Sequence, residues 1–168
     1  TGARLTISYG RVGGVKADLP DGFAERIPKV FEDVRKVLLE CDTLLTRNRI
    51  FMDRMQDTGV ISKETAISYG ITGPFLRGCG VALDTRKANP YFVYDRMRFD
   101  VPIGEHGDNY DRYLVRMEEM EQSMRIVEQA LVEIPAGPIN VDYEGNILPA
   151  EVMVDEAKMG RVAGFHSA

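Results

Sequence analysis

The stretch that decides the fold is FAERIPKVFEDVRKVLLECDTLL, residues 23–45. Its apolar residues recur at spacings of three and four, which predicts one continuous stripe along a helix of about six turns. Pro28 lies near the start, where a helix tolerates proline best, and a helix that starts after Pro28 is also compatible with the pattern. Cys41 falls on the stripe, so we expect it in the core rather than as a reactive thiol.

A strand and a glycine-rich segment precede this helix. Residues 5–9 (LTISY) alternate apolar and polar side chains, which predicts a strand. Residues 10–15 (GRVGGV) predict a loop, because three glycines in five positions disfavour regular structure. Its spacing matches neither GxGxxG nor a P-loop, which argues against nucleotide binding. We expect Gly13 and Gly14 to adopt unusual dihedrals or to approach another group closely.

Arg11 lies in the same glycine-rich segment. Such a loop would aim its guanidinium at an anionic or polar group. The alternative is an ion pair with a nearby carboxylate such as Asp18. The residues alone leave both interpretations open.

Shorter elements follow the long helix. Residues 48–55 predict a short helix, and Ser62 is a suitable N-cap for a helix that runs through Tyr69 and stops at Gly70. Glycines and prolines then punctuate residues 70–107, which predicts a long irregular connection. Because four aromatic residues are spread through it, we expect the connection to be packed and ordered. They are Tyr91, Phe92, Tyr94 and Phe99.

A second long helix is predicted from Asp108 as N-cap, with Asp111 in the first turn, where the helix dipole favours an acid. Pro135 and Pro138 end it. Seven residues mark its expected buried stripe: Tyr110, Tyr113, Leu114, Met117, Met124, Val127 and Leu131. The chain is therefore predicted to be mainly α with a small β element, too little to close a sheet by itself. We divide it into residues 1–22, a helical core at 23–140, and a tail at 141–168 that is truncated or disordered.

Composition and charge exclude several classes of protein. The 168 residues are 44% hydrophobic and 28% charged, which is typical of a globular domain. The net charge of −5 divides into +3 for residues 1–100 and −8 for residues 101–168. Nucleic acid is therefore an unsuitable partner, since phosphate neutralisation needs a basic face.

The chain lacks the ligands of a standard metal site. Cys41 and Cys79 are its two cysteines, and His106 and His166 its two histidines. Structural zinc needs about four closely spaced ligands, so we expect no metal site. The cysteines are expected to be reduced. His106, between two glycines, suits a surface loop, and proton handling is the alternative.

Charged residues cluster in two segments. Asp108 and Arg112 lie one turn apart on the second long helix, where an exposed ion pair would contribute about 0.3–0.5 kcal/mol. If buried, they would instead contact a ligand or partner. Asp84, Arg86 and Asp95, near the aromatic residues, could form a similar buried network.

Taken in order, ten short motifs resemble one family. Residues 1–5 and 11–20 are similar to its TGxRL and RPGGVxxDLP signature, and the others follow with similar spacing. They are NRIF (48–51), GVIS (59–62) with Ala66, LRGCGV (76–81), DTRK (84–87), PYFVYD (90–95), FDVP (99–102), GD (107–108) and YDRY (110–113). This is the family of the hydrogenase-like quinone-site subunit, or D subunit, of respiratory complex I. The resemblance covers about residues 1–140, a central part of a protein over twice as long.

The resemblance implies a nickel–iron hydrogenase large-subunit-like helical core, here incomplete. It implies an NADH:quinone oxidoreductase, proton-translocating, in which this subunit helps to form the quinone-reduction cavity beside the small iron–sulfur subunit. Membrane-arm subunits are further implied partners. Quinone is the substrate, while NADH and the iron–sulfur clusters bind partner subunits and this chain binds no cofactor. The implied location is peripheral, on the cytoplasmic face of the inner membrane.

The resemblance assigns Arg11, Gly13 and Gly14 to the quinone-cavity region and no catalytic residue to this chain. It assigns the other matched charges to helix packing or to contacts between subunits: Asp18, Asp84, Arg86, Asp95, Asp108, Asp111 and Arg112. Two departures from the family pattern are Val12, in place of proline, and Cys79, in place of serine or alanine.

Two alternatives stay open at this stage. One is a relative with the same fold, either the ferredoxin-driven photosynthetic complex or a membrane-bound hydrogenase. The other, of a different class, is a non-catalytic helical structural domain.

Overall fold

The computed structural model describes residue 5, residues 9–11 and residues 13–140, with the side chain of Arg11 excepted. Most of the strand predicted at residues 5–9, and the tail at 141–168, lie outside the described residues. The chain forms two compact units. The larger is Ala24–Ile134, and the smaller consists of Thr1–Phe23 and Pro135–Ala168.

The described part of the smaller unit contains a short antiparallel hairpin. Strand β1 (Gly10–Arg11) pairs with β2 (Gly14–Val15), with Gly10 opposite Val15. The loop predicted for this segment is therefore wrong in part, because the glycines form the turn and part of each strand.

Six α-helices lie in the described residues. They are α1 (Phe23–Cys41), α2 (Arg49–Met55), α3 (Lys63–Ser68), α4 (Gly73–Gly78), α5 (Thr85–Ala88) and α6 (Asn109–Glu133). A π-helical turn, Asp42–Thr46, extends α1. The chain is thus mainly helical, as predicted. Helix α1 starts before Pro28, which it accommodates in its second turn.

Polar side chains begin four of these helices. Asn48, Ser62, Asp84 and Asp108 each accept a hydrogen bond from a backbone N–H in the first turn of the helix that follows. These bonds satisfy donors that a helix start otherwise leaves unpaired. The predicted caps at Ser62 and Asp108 are confirmed.

The core of the larger unit is small. Ala66, Leu76 and Cys79 are buried together, and Ile61, Ile71, Val81 and Leu83 pack around them. The connection at residues 70–107 contains α4 and α5, and Met97 and Phe99 are buried within it.

The two long helices differ from their predicted burial. None of the residues of α1 is buried by the described chain, although Phe31, Leu38 and Cys41 are half-buried. In α6 the buried residues are Asp111, Arg112, Val115, Gln122 and Met124. The predicted apolar stripe of α6 is therefore wrong in part, because Leu114 and Val127 are exposed and three polar residues take the inner positions.

Candidate functional site

The hairpin positions the three residues assigned to the quinone-cavity region. Gly13 has φ +87°, which side chains rarely tolerate. A Cβ at Gly14 would overlap the carbonyl oxygen of Ile139. Both expectations for these glycines, an unusual dihedral and a close approach, are confirmed.

Backbone hydrogen bonds hold the hairpin in place. Val15 N–H donates to Ile139 O at 2.9 Å, and Lys16 N–H donates to Tyr9 O at 2.8 Å. The backbone of Arg11 lies in β1, while its side chain lies outside the described residues. Asp18 is exposed, and its Oδ1 accepts the N–H of Leu19 at 2.7 Å. The second strand of the hairpin is thus fixed to the chain on both of its sides.

In the larger unit, Asp108 joins the ends of two helices. Its Oδ1 accepts the N–H of Asp111 at 2.8 Å, within α6. Its Oδ2 accepts the N–H of Asp57 at 3.0 Å, just beyond α2. Asp57 has φ +53°, so this contact helps to hold an uncommon backbone conformation. Asp108 therefore acts as a clamp as well as a cap.

Arg112 lies beside this clamp and is 4% exposed. It donates to the carbonyl oxygens of Gly107 and Gly59 and to Oδ1 of Asn109, each at 2.7 Å. Its guanidinium also lies 4.8 Å from the ring centroid of Phe75. The exposed Asp108–Arg112 ion pair that the spacing would allow is therefore absent from the described contacts, and Arg112 instead joins three segments of chain through neutral oxygens.

Asp111 fastens the loop that precedes α6. Its Oδ2 accepts the N–H groups of Glu105 at 2.7 Å and His106 at 2.5 Å, and lies 3.3 Å from Nδ1 of His106. Burial by itself would raise the pKa of Asp111, but these hydrogen bonds outweigh it and the pKa is lowered. The His106 side chain is largely exposed, as a surface loop predicts.

Asp84 and Arg86 form the second charged cluster. The Asp84 carboxylate accepts from Arg86 Nε at 3.0 Å and Nη2 at 2.7 Å, and hydrogen bonding from Arg86 lowers the pKa of Asp84. The guanidinium lies 4.7 Å from the ring centroid of Phe99 and 5.7 Å from that of Tyr94. Asp95, a candidate for the same network, is exposed.

Sequence reasoning missed two further arginines. Arg77 of α4 is nearly buried and donates through Nε to Glu119 of α6 at 2.6 Å. Arg35 of α1 contacts both Glu121 and Glu128 of α6 at 3.0 Å. The position of Arg77 inside LRGCG was an available signal. Arg35 lies among the exposed charges of an amphipathic helix, where nothing in the sequence distinguishes it.

The described residues contain neither a cluster of metal ligands nor a disulfide. No cluster of three or more His, Cys, Asp or Glu side chains suited to a metal ion occurs among them. Cys41 and Cys79 are both free thiols. Cys79 donates to the carbonyl oxygen of Phe75 at 3.1 Å, and burial raises its pKa. No described helix has the length and apolarity needed to cross a bilayer.

Comparison with known proteins identifies the family. A family model described as "Respiratory-chain NADH dehydrogenase, 49 Kd subunit" matches residues 1–166, which extends the resemblance beyond residue 140. The NADH-quinone oxidoreductase D subunit of Myxococcus xanthus is 63% identical over 142 residues, which are 84% of this chain and 34% of that protein. The D subunit of Methylacidiphilum infernorum is 53% identical over 154 residues, 92% of this chain and 37% of that protein.

A third relative differs in its organisation. A C/D subunit of NADH-quinone oxidoreductase from Aquifex aeolicus is 53% identical over 134 residues, 80% of this chain and 23% of that protein. The chain spans about a third of the length of the two D-subunit relatives. With the family model matched almost from end to end, the chain belongs to the family of the 49 kDa subunit of respiratory-chain NADH dehydrogenase.

Proposed function

We propose that this chain is part of the quinone-site subunit of a membrane-associated, proton-translocating NADH:quinone oxidoreductase. The observation that carries the proposal is the match of the family model to residues 1–166, supported by 63% identity to a D subunit. The names of the relatives favour NADH over ferredoxin or hydrogen chemistry. They also favour a subunit of an oxidoreductase over a structural domain.

The proposal includes a hydrogenase large-subunit-like fold for the complete protein. The mainly helical core supports it. Its partners would be the small iron–sulfur subunit and membrane-arm subunits, with NADH and the iron–sulfur clusters on partner chains and quinone as substrate. Its location would be peripheral, on the cytoplasmic face of the inner membrane.

Within that protein, the hairpin with Arg11, Gly13 and Gly14 would line the quinone cavity. Reduction of a quinone to a quinol adds two electrons and two protons, and negative charge develops on its oxygens. A guanidinium can donate hydrogen bonds to such an oxygen and stabilise that charge. The close fit of Gly14 against Ile139 supports this role, because it fixes the backbone from which Arg11 projects.

The charged clusters would have a different task. Asp84, Arg86, Asp108, Asp111 and Arg112 are bonded mainly to one another, to main-chain groups or to aromatic rings. Such groups are already paired, so they suit packing of the helical core better than contact with a substrate. Asp18 and Asp95 are exposed and remain candidates for contacts between subunits.

The test is Arg11→Ala in the full-length subunit within its membrane. Quinone reduction should fall on the order of tenfold to hundredfold, while NADH oxidation with an artificial electron acceptor persists, since only the quinone end is affected. Lys16→Ala is the matched control, because it removes a positive charge from an exposed position just after β2. Unchanged quinone reduction in a normally assembled Arg11→Ala complex would refute the assignment.

A further inference from the structure

A turn of the larger unit displays three consecutive large side chains to water. We name residues 86–98 the aromatic turn. Within it Tyr91 is 49% exposed, Phe92 92% and Val93 39%. A single exposed apolar residue is ordinary, but a contiguous group that contains two aromatic rings is typical of a recognition surface.

The backbone presents Phe92 in an unusual way. Its φ is +50°, in the left-handed region that bulky residues rarely occupy. Burial of the Phe92 ring does not compensate for this conformation in the described chain, because the ring is almost wholly exposed. Tyr91 contacts it edge-on, with the ring centroids 5.4 Å apart. The turn thus holds an apolar ring away from the protein at a conformational cost.

The rest of the aromatic turn is held firmly. Tyr94 N–H donates to Tyr91 O at 3.2 Å, and the two rings lie 5.0 Å apart. At the far end, Gln129 of α6 accepts the N–H of Arg98 and donates to its carbonyl oxygen, both at 2.8 Å. A surface held in one conformation loses little conformational entropy when it binds.

The charge of the aromatic turn points to the partner's chemistry. Arg96 and Arg98 are exposed, against one exposed acid, Asp95, while the exposed Lys87 also places its Nζ 4.8 Å from the ring centroid of Phe99. The fourth basic residue, Arg86, is paired with Asp84. A complementary surface would therefore be acidic around an apolar centre.

We propose that the aromatic turn docks another protein chain, which receives Phe92 in an apolar pocket with an acidic rim. The partner's identity as a further chain of the same assembly rests on the proposed function. A protein fits better than a membrane surface, because a single rigid ring aligned by its backbone suits a shaped pocket, whereas membrane anchoring needs a larger apolar area.

Phe92→Gly in the full-length subunit separates docking from folding. Glycine removes the ring and also relieves the positive φ, so the melting temperature of the free subunit should stay constant or rise. The fraction of subunit that remains in the assembled complex after a salt wash should fall at least about tenfold, measured on native gels of membranes. Phe92→Leu should retain part of the association. Tyr69→Ala, which removes a similarly exposed ring outside the turn, is the control and should change little.

A charge variant tests the acidic rim. Arg96→Glu together with Arg98→Glu should weaken retention most at low salt, because screening reduces the repulsion as salt rises. An unchanged salt profile would overturn the acidic rim.

Three outcomes overturn the inference. Normal retention of Phe92→Gly would remove the docking role while leaving the proposed function intact. A lower melting temperature of free Phe92→Gly would show that the ring packs within its own subunit. If Phe92→Gly lost binding to phosphatidylglycerol vesicles while its assembly was unchanged, the Phe92 ring would contact a membrane rather than a protein. If the wild-type chain itself were absent from any NADH-oxidising assembly, the proposed function would fail, and the partner assignment with it.

Discussion

In the two long helices, α1 and α6, the strength of the apolar pattern and the extent of burial do not agree. Helix α1 is strongly amphipathic, yet the described chain leaves Val30, Val37 and Leu39 more than half exposed. Helix α6 has a weaker apolar pattern but buries five residues, three of them polar. An apolar stripe indicates that one face of a helix can be buried, but not which segment packs on it. In α6, the hydrogen bonds of the buried polar side chains identify the segments that the helix contacts.

The charged cluster at the start of α6 explains the difference. Asp108, Asp111 and Arg112 bond to main-chain groups of the loops at residues 57–59 and 104–107. Gly107 O also accepts the N–H of Ile61, whereas the other groups depend on these side chains for their hydrogen bonds as the loops pack against the helix. In helix α1 Arg35 has a comparable role, and that side chain is 40% exposed. Polar anchoring therefore distinguishes the two helices more than apolar area does.

The largest effect is expected when the anchor of α6 is removed. Arg112→Met retains much of the side-chain volume but leaves the oxygens of Gly59 and Asn109 without their donor, while Gly107 O keeps only the N–H of Ile61. The free energy of unfolding should fall by about 3 kcal/mol, measured by chemical denaturation. Arg49→Met is the matched control at a 93% exposed side chain, and its cost should stay within about 0.5 kcal/mol. Equal costs for the two variants would refute the polar anchor.

The local parts of this fold could be predicted from the sequence. The helix starts after Asn48, Ser62 and Asp108 depend on one side chain and the next three residues, so a short window contains the whole cause. The stop at Gly70 is equally local, since its φ is +64°.

The burial of α6 could not be predicted in the same way. Arg112 is buried because residues 59 and 107 bring carbonyl oxygens to it, and residue 59 is far away in sequence. Gln122 is buried because its Oε1 accepts the N–H of Asp100 at 2.9 Å. Periodicity counts such residues as solvent-facing, since it contains no information on distant acceptors. For the hairpin, the unusual φ of Gly13 was predictable from the sequence, whereas the pairing of β1 with β2 was not.

A smaller effect on the free energy of unfolding is expected when one valine of each long helix is replaced by alanine. Val115 of α6 is 2% exposed, and Val37 of α1 is 56% exposed. Val115→Ala should lower the free energy of unfolding by about 1–2 kcal/mol, because two methyl groups leave a packed site. Val37→Ala should change it by less than about 0.5 kcal/mol. A cost for Val37→Ala that equals the cost for Val115→Ala would show that α1 is covered as fully as α6.

The smallest effect concerns the pH dependence contributed by Asp111. Burial and hydrogen bonding shift the pKa of Asp111 in opposite directions, so only the net shift contributes to the free energy of unfolding. Because the folded pKa lies below the ordinary value of 3.8, the folded state favours the carboxylate. The contribution is therefore complete above pH 3.8 and is lost as the pH falls through the folded pKa.

Asp111→Asn tests this prediction, because it removes the titration while one acceptor oxygen remains. Asp84 also has a lowered pKa and contributes in the same direction, so the comparison should be made in an Asp84→Asn background. In that background, the free energy of unfolding below pH 3.8 should fall less steeply in the Asp111→Asn variant than in the protein that keeps the carboxylate. An identical slope in both proteins would mean that the bonds from Glu105 and His106 do not favour the ionised form of Asp111.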